Sequence, residues 1–285
     1  MLTALTVKKH ERRKGIKGLA DRLRRDRAVV KIKRARGVYL KHITYISYGR
    51  KPRFGKLEKI IGDSKNRIIC SPKIKFESDS KFKRFENSDF SARLCTNLAI
   101  YLLSMCDFTE KLKIGIYDLD GRESEFLPYV MKYSSDVTVV TDCPDVYYDE
   151  NELVMENMGA CSVVTKRTEE LEHCHLIIAP HTIEKTFSSN ENTLILTNGR
   201  PKAELTGEVY YKYYFKMPNG FDRIKPQELE TEYFCSALYS LGRQYSLGSI
   251  VPTMCSNFSA TQTVKSLYAM FEKLYKNSAK SADEN

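Results

Sequence analysis

No two of the eight cysteines stand at the C-x-x-C spacing of a zinc or redox site. They occur singly, at 70, 95, 106, 143, 161, 174, 235 and 255, several of them inside apolar segments where a reduced thiol behaves as a small hydrophobe. Long apolar runs are also missing. The longest, "LAIYLLSMC" at 98–106, is far short of the roughly 20 residues a membrane helix needs. The opening "MLTALTVKKHERRK" places apolar residues before charges, the reverse of a secretory signal. No segment repeats another. These absences exclude a disulfide scaffold and a helical membrane span, and they lead us to expect a reduced, cytoplasmic protein.

Acid is scarce at one end of the chain. Residues 1–60 hold 20 Lys/Arg and 4 Asp/Glu, a balance of +16, while the remaining 225 hold 26 and 32, a balance of −6. A mildly acidic body therefore carries a basic N-terminal arm, and such asymmetry predicts an anionic partner: nucleic acid, a membrane surface or the body itself. The arm either binds nucleic acid, with Arg12, Arg13, Arg24, Arg25, Arg34, Arg50, Arg53 and Lys56 as candidate phosphate contacts, or is merely solvated. Ile16, Leu19, Ala20 and Leu23 form one apolar stripe, which predicts a basic helix over about 8–28, weakened by Gly15 and Gly18. The stripe is too narrow for a membrane-surface helix. "SYGRKPRFGKLEK", 47–59, is not a P-loop. Five residues separate Gly49 from Gly55-Lys56, and Leu57 stands where Ser or Thr should hold magnesium.

What is present is an ordinary core and a clear rhythm. Forty-two per cent of the residues are hydrophobic, too many for a disordered chain. "GVYLKHITYIS" and "NRIICS" read as strands, and a helix follows over 89–106 with Leu94, Leu98, Tyr101, Leu102 and Met105 on one face. Over 111–252, short apolar strands ("KLKIGIYD", "DVTVVTD", "CSVVTK", "HLIIAP", "NTLILTNG") alternate with amphipathic helices. That alternation predicts a buried, mostly parallel sheet with right-handed crossovers. "GEVYYKYYFKMP" predicts one further strand, Pro226 a helix start, and "ATQTVKSLYAMFEKLYKN" a last helix. The expected organisation is a basic helical arm over 1–36, a small β-rich subdomain over 37–88, and an α/β domain with C-terminal helices over 89–285.

Over about 110–200 the layout resembles a Rossmann-like domain of the NAD(P)-binding superfamily. Asp142 ends the second strand, where members of that superfamily often hold ribose hydroxyls, and "MGACSVVTKRTEELEHCHLIIAP" is similar to their third strand, short helix and fourth strand. The resemblance implies an α/β fold with helices flanking the sheet. The glycine fingerprint G-x-G-x-x-G is absent; Gly115 lies within the strand and only Gly121 lies in the turn. Asp118 and Asp120 face the spot a pyrophosphate would take, which opposes phosphate binding, while Arg122 offsets one of them. As a turn, Asp120-Gly121 bends the chain and Asp118 or Asp120 caps the helix. "YDLDGRE" also resembles the first motif of the haloacid dehalogenase phosphatases, which implies Asp118 as nucleophile, Asp120 as acid-base, Mg²⁺ as cofactor, and Thr197 in the second motif. Arg122 replaces the expected Thr, and no paired acids follow Thr197.

His173, His175 and His181 could meet at a zinc ion, or could simply be hydrogen-bonded or solvated. In "VYYKYYFK", alternating rings and lysines could stack bases, or could be an edge strand. A ligand in an open α/β sheet binds outside the carboxyl ends of the strands. There the sequence collects Asp118, Asp120, Gly121, Arg122, Asp142, Lys166, Pro180 and Asn198. Three functions follow as expectations. The first is a non-catalytic ligand-binding or regulatory protein. The second is a nucleic-acid binder, and the third an NAD(P)-dependent oxidoreductase or magnesium phosphatase with an atypical site. The sequence names no cofactor.

Overall fold

The structure, a computed structural model, describes residues 1–10, 24–48, 54–78 and 80–283. It divides into two compact units, one of residues 1–90 and 217–247, the other of 91–216 and 248–285. These bounds differ from the expected 1–36, 37–88 and 89–285, because 217–247 joins the N-terminal unit across a long stretch of sequence.

The first unit opens with β1 (Leu2–Lys9), β2 (Arg27–Ala35) and β3 (Val38–Ser47), followed by a short helix, α1 (Glu58–Ile61), and β4 (Ile69–Cys70). The sheet order is β2-β3-β1-β4. β2 and β3 form an antiparallel hairpin, while β1 runs parallel to both β3 and β4. Its core packs Leu5, Ile43, Tyr45, Leu57, Ile61 and Ile68 together. The expected helix over 8–28 is corrected at both ends: Lys8 and Lys9 lie in β1, and Arg27 and Ala28 in β2. β2 hydrogen-bonds all along β3, and that cross-strand pairing overrides the helical spacing at the C-terminal end. Residues 11–23 of that expectation lie outside the described residues.

The second unit follows through α2 (Asp89–Met105), β5 (Ile114–Tyr117), α3 (Leu127–Met131), β6 (Val137–Val140), α4 (Pro144–Met158), β7 (Val163–Thr165), β8 (Leu176–Ala179), β9 (Leu194–Thr197), β10 (Glu208–Tyr210) and β11 (Lys212–Tyr214). α5 (Thr231–Ser240) belongs to the first unit, and β12 (Met254–Ser256), β13 (Thr261–Thr263) and α6 (Val264–Asp283) to the second. Six strands make an all-parallel sheet ordered β7-β6-β5-β8-β9-β10. Counted along this unit, that is 3-2-1-4-5-6, the strand order of the Rossmann sheet. The expected parallel α/β sheet is therefore present, and the order reverses between β5 and β8.

Gly115 sits in the middle of β5, and a Cβ there would lie 2.6 Å from Leu171 Cδ2 and 3.2 Å from Cys174 Sγ. The bare backbone lets Leu171 and Cys174 close onto the strand. On that face Ile183 and Phe187, from the loop after β8, pack with Tyr117, Ile177 and Ile195. The loop thus takes the place of a crossover helix. α6 buries Val264, Leu267 and Phe271 at helical spacing, and its Met270 Sδ accepts a hydrogen bond from Tyr210. Gly159 caps α4 in the left-handed conformation, as its position after the helix predicts.

Several local expectations change. Tyr101 is exposed, while Leu94, Leu98 and Leu102 are fully buried. The strand expected over 207–218 breaks at Tyr211: its first half pairs parallel with β9 and its second antiparallel with β12. Pro226 begins a turn, and α5 starts at Thr231. The residues Thr261–Thr263, expected in the last helix, form β13 against β12.

Candidate functional site

Because all six strands run the same way, their carboxyl ends share one edge. Asp118 follows β5, Asp142 lies two residues beyond β6, Lys166 follows β7, Pro180 follows β8 and Asn198 follows β9. The predicted ligand residues are therefore brought to one edge, although they face differently. Asp142 and Lys166 are exposed, Pro180 is buried, and Asn198 is half-buried with its carbonyl accepting from Thr182 Oγ1 at 2.6 Å.

The turn after β5 corrects the expectation that two carboxylates face a phosphate position. Asp118 is turned inward, with 1% of its surface exposed. Its Oδ2 accepts the backbone N–H of Glu123 at 2.9 Å and the hydroxyl of Tyr147 at 2.9 Å. Asp120 points outward and pairs with Arg122. Gly121 has φ +66°, its N–H closes the turn onto the Asp118 carbonyl at 3.2 Å, and a Cβ would lie 2.7 Å from Val146 Cγ2. The turn thus needs one glycine at this position, for a left-handed φ and close helix packing. The amide of Glu123 stands immediately before the helical stretch 124–131. In a dinucleotide site the amides at this point receive the pyrophosphate. Here a buried carboxylate receives one of them.

Burial and the Asp118 charge together push the Tyr147 hydroxyl far above its usual range, so it stays a donor. Tyr117, at the end of β5, is also raised, first by burial and then by Asp142 and Glu184. The edge near β5 and β6 is therefore acidic. There His181 Nε2 lies 3.9 Å from Glu123 Oε1. The Cys95 thiol, with Sγ 4.0 Å from the Ala179 carbonyl, is pushed up to about 12 by burial and is inert.

The other motifs fare less well. A phosphatase nucleophile must meet its substrate, yet Asp118 is enclosed and hydrogen-bonded, and the Thr197 hydroxyl is buried and donates to the His181 carbonyl at 3.0 Å. His175 Nδ1 accepts the Lys113 N–H at 3.0 Å, while His173 is exposed, and no group of three or more His, Cys, Asp or Glu able to hold a metal occurs among the described residues. Of the rings of 209–216, Tyr210 and Tyr213 are buried, the latter donating to the Thr197 carbonyl at 2.7 Å, while Tyr214 is exposed with Lys212 Nζ 5.4 Å from its ring centre. Leu57 of the expected basic loop is fully buried in the first unit's core. Of the basic candidates, Arg24 and Arg34 are exposed, the latter over the Tyr39 ring at 5.0 Å. Arg25 is exposed as well. Arg12, Arg13, Arg50, Arg53 and the Lys56 side chain lie outside the described residues.

Sequence reading missed Tyr147 and Glu123, and named His181 only as a zinc candidate. Tyr147 shares a helical face with Val154, seven residues on, and both are buried. That spacing signals burial but not the partner of the hydroxyl.

No protein-family model matches the chain, and no curated protein matches it. Among solved structures, the chain is similar to the crystal structure of L-tryptophan dehydrogenase from Nostoc punctiforme, at 11% identity and a TM-score of 0.31, over 84% of this chain and 77% of that one. The fold is read from the strand order and not from this likeness. No helix of the described residues is long and apolar enough to cross a membrane.

Proposed function

We propose that this is a non-catalytic ligand-binding or regulatory protein built on a Rossmann-like sheet, and that the turn after β5 does not seat a dinucleotide pyrophosphate. The observation that carries this reading is the buried Asp118 carboxylate on the Glu123 N–H. An incoming phosphate would have to displace a charge-assisted hydrogen bond and then sit against an enclosed negative charge. Coulomb repulsion between the two is on the order of a few kcal/mol at the effective dielectric of such a site. That is comparable to the whole free energy of millimolar binding, about 4 kcal/mol.

Isothermal titration of the full chain with NAD⁺, NADH, NADP⁺ and NADPH tests the reading. The expected result is no saturable heat up to about 1 mM, the concentration at which binding free energy falls to about 4 kcal/mol. Micromolar binding of any of the four, lost on Gly121→Val, would return the protein to the oxidoreductases.

A further inference from the structure

The first unit contains a groove of about 540 Å³ whose lining includes charges of both signs. That volume is within the ordinary range for small-molecule sites, roughly 300–1,000 Å³. The groove exists because β4 is short. β4 pairs with β1 only at Ala4 and Leu5, and at Ser71 the chain leaves the sheet. β1 runs on, so beyond Leu5 that edge of β1 has no strand partner among the described residues.

One wall is set by Arg84. Its Nε donates to the Cys70 carbonyl at 2.9 Å, and its guanidinium lies 4.1 Å from the centre of the Tyr233 ring. Tyr233 is itself held by donating to the Phe85 carbonyl at 2.9 Å. The guanidinium is therefore fixed in plane and position, with Nη1 only 3.5 Å from the outlying Glu86, whose side chain is 77% exposed. Fixed guanidinium groups of this kind suit a carboxylate, which they bind through two parallel donors. Glu228 and Glu230 line the same groove. Thr6 Oγ1 lies 3.4 Å from Glu228 Oε2 and 2.9 Å from His42 Nε2, which draws Glu228 over the groove. Neither glutamate is in an ion pair among the described residues, although Arg84 and Lys73 line the same space. Leu5 and Leu229, both buried, give an apolar floor.

We propose that this groove binds a free α-amino acid with an apolar side chain, its carboxylate on Arg84, its ammonium on Glu228, and its side chain over Leu5 and Leu229. A zwitterion matches a lining that carries unpaired glutamates beside a held guanidinium. The proposal stands apart from the reading of the β5 turn: dinucleotide binding would leave it intact, and amino-acid binding says nothing of that turn.

The test is isothermal titration of the full chain with L-leucine, L-methionine and L-phenylalanine. Alongside L-leucine, 4-methylpentanoate serves as the analogue without an ammonium, 3-methylbutylamine as the one without a carboxylate, and N-acetyl-leucine as a mimic of a peptide's carboxyl end. At least one amino acid is expected to bind saturably, and both stripped analogues of leucine to bind at least about tenfold more weakly than leucine, the usual loss when a hydrogen bond to a charged group is removed. Glu228→Gln is expected to weaken the amino acid by a similar factor while leaving 4-methylpentanoate unchanged, a split that misfolding would not produce. Lys265→Gln, on an exposed side chain of the second unit and outside the groove, serves as the control for general charge loss. No saturable binding by any amino acid would overturn the proposal. So would 4-methylpentanoate or N-acetyl-leucine binding as tightly as leucine, the latter pointing to a peptide end, or indifference of leucine to Glu228→Gln.

Discussion

The hydrogen bonds on Asp118 make a quantitative prediction. Glu123 N–H and Tyr147 O–H donate to the same oxygen, each at 2.9 Å, in a site where Asp118 and Tyr147 are 1% and 0% exposed. Hydrogen bonds to a charged group contribute about 1.5–3 kcal/mol each. Tyr147→Phe removes one of them and leaves the carboxylate with its backbone donor, so the expected loss is about 1.5–3 kcal/mol. Asp118→Ala removes the acceptor for both and strands a buried hydroxyl and a buried N–H, for an expected loss of about 3–5 kcal/mol. In Asp118→Asn the amide oxygen can keep both donors, but its NH₂ must stand where Asp118 Oδ1, which has no hydrogen-bond partner, now stands. One buried donor is then unsatisfied, costing about 1–3 kcal/mol. At about 2–4 °C per kcal/mol for a unit of this size, Tyr147→Phe should lower the Tm by about 3–12 °C. The assay is thermal and urea unfolding of the two single variants and the double variant, Asp118→Ala with Tyr147→Phe. The double variant should be no worse than Asp118→Ala alone by more than about 1 kcal/mol, because the bond is already gone. Full additivity within about 0.5 kcal/mol would show that Asp118 and Tyr147 do not interact, and the account of the closed turn would fail with it.

Two further outcomes follow from the core and its histidines. Burial, followed by Lys33 at His42 and Lys113 at His175, holds both imidazoles below the ordinary 6.5. The unfolded chain then binds more protons, so this part of the stability is complete above pH 6.5 and is lost as pH falls from there towards the folded-state values. Between pH 7.5 and 5.5 the Tm should therefore drop, and His175→Gln, which keeps an acceptor for the Lys113 N–H, should reduce the slope; an unchanged slope in that variant refutes the assignment. Gly115→Val should destabilise by about 1–3 kcal/mol through overpacking against Leu171 and Cys174. Adding Leu171→Ala should restore part of the urea midpoint, whereas strictly additive losses would place the strain elsewhere.

Sequence alone determined the strands β5 to β9 and their parallel arrangement. Four-residue apolar runs such as "VTVV" and "LIIA", separated by amphipathic segments, have few other ways to bury themselves, and the observed strands Val137–Val140 and Leu176–Ala179 coincide with them. It also showed that the turn at 118–122 lacked the glycines of a phosphate loop. Tertiary structure decided the rest. Whether Asp118 faces solvent or the core depends on Tyr147, 29 residues away, reaching it with a hydroxyl. The groove of the first unit depends on Thr6 meeting Glu228 across 222 residues. Local spacing encodes which face of an element is buried, because that follows from a period of two or 3.6 residues. Which charges and hydroxyls meet across elements is set by how the chain returns on itself, and no short window of sequence contains that return.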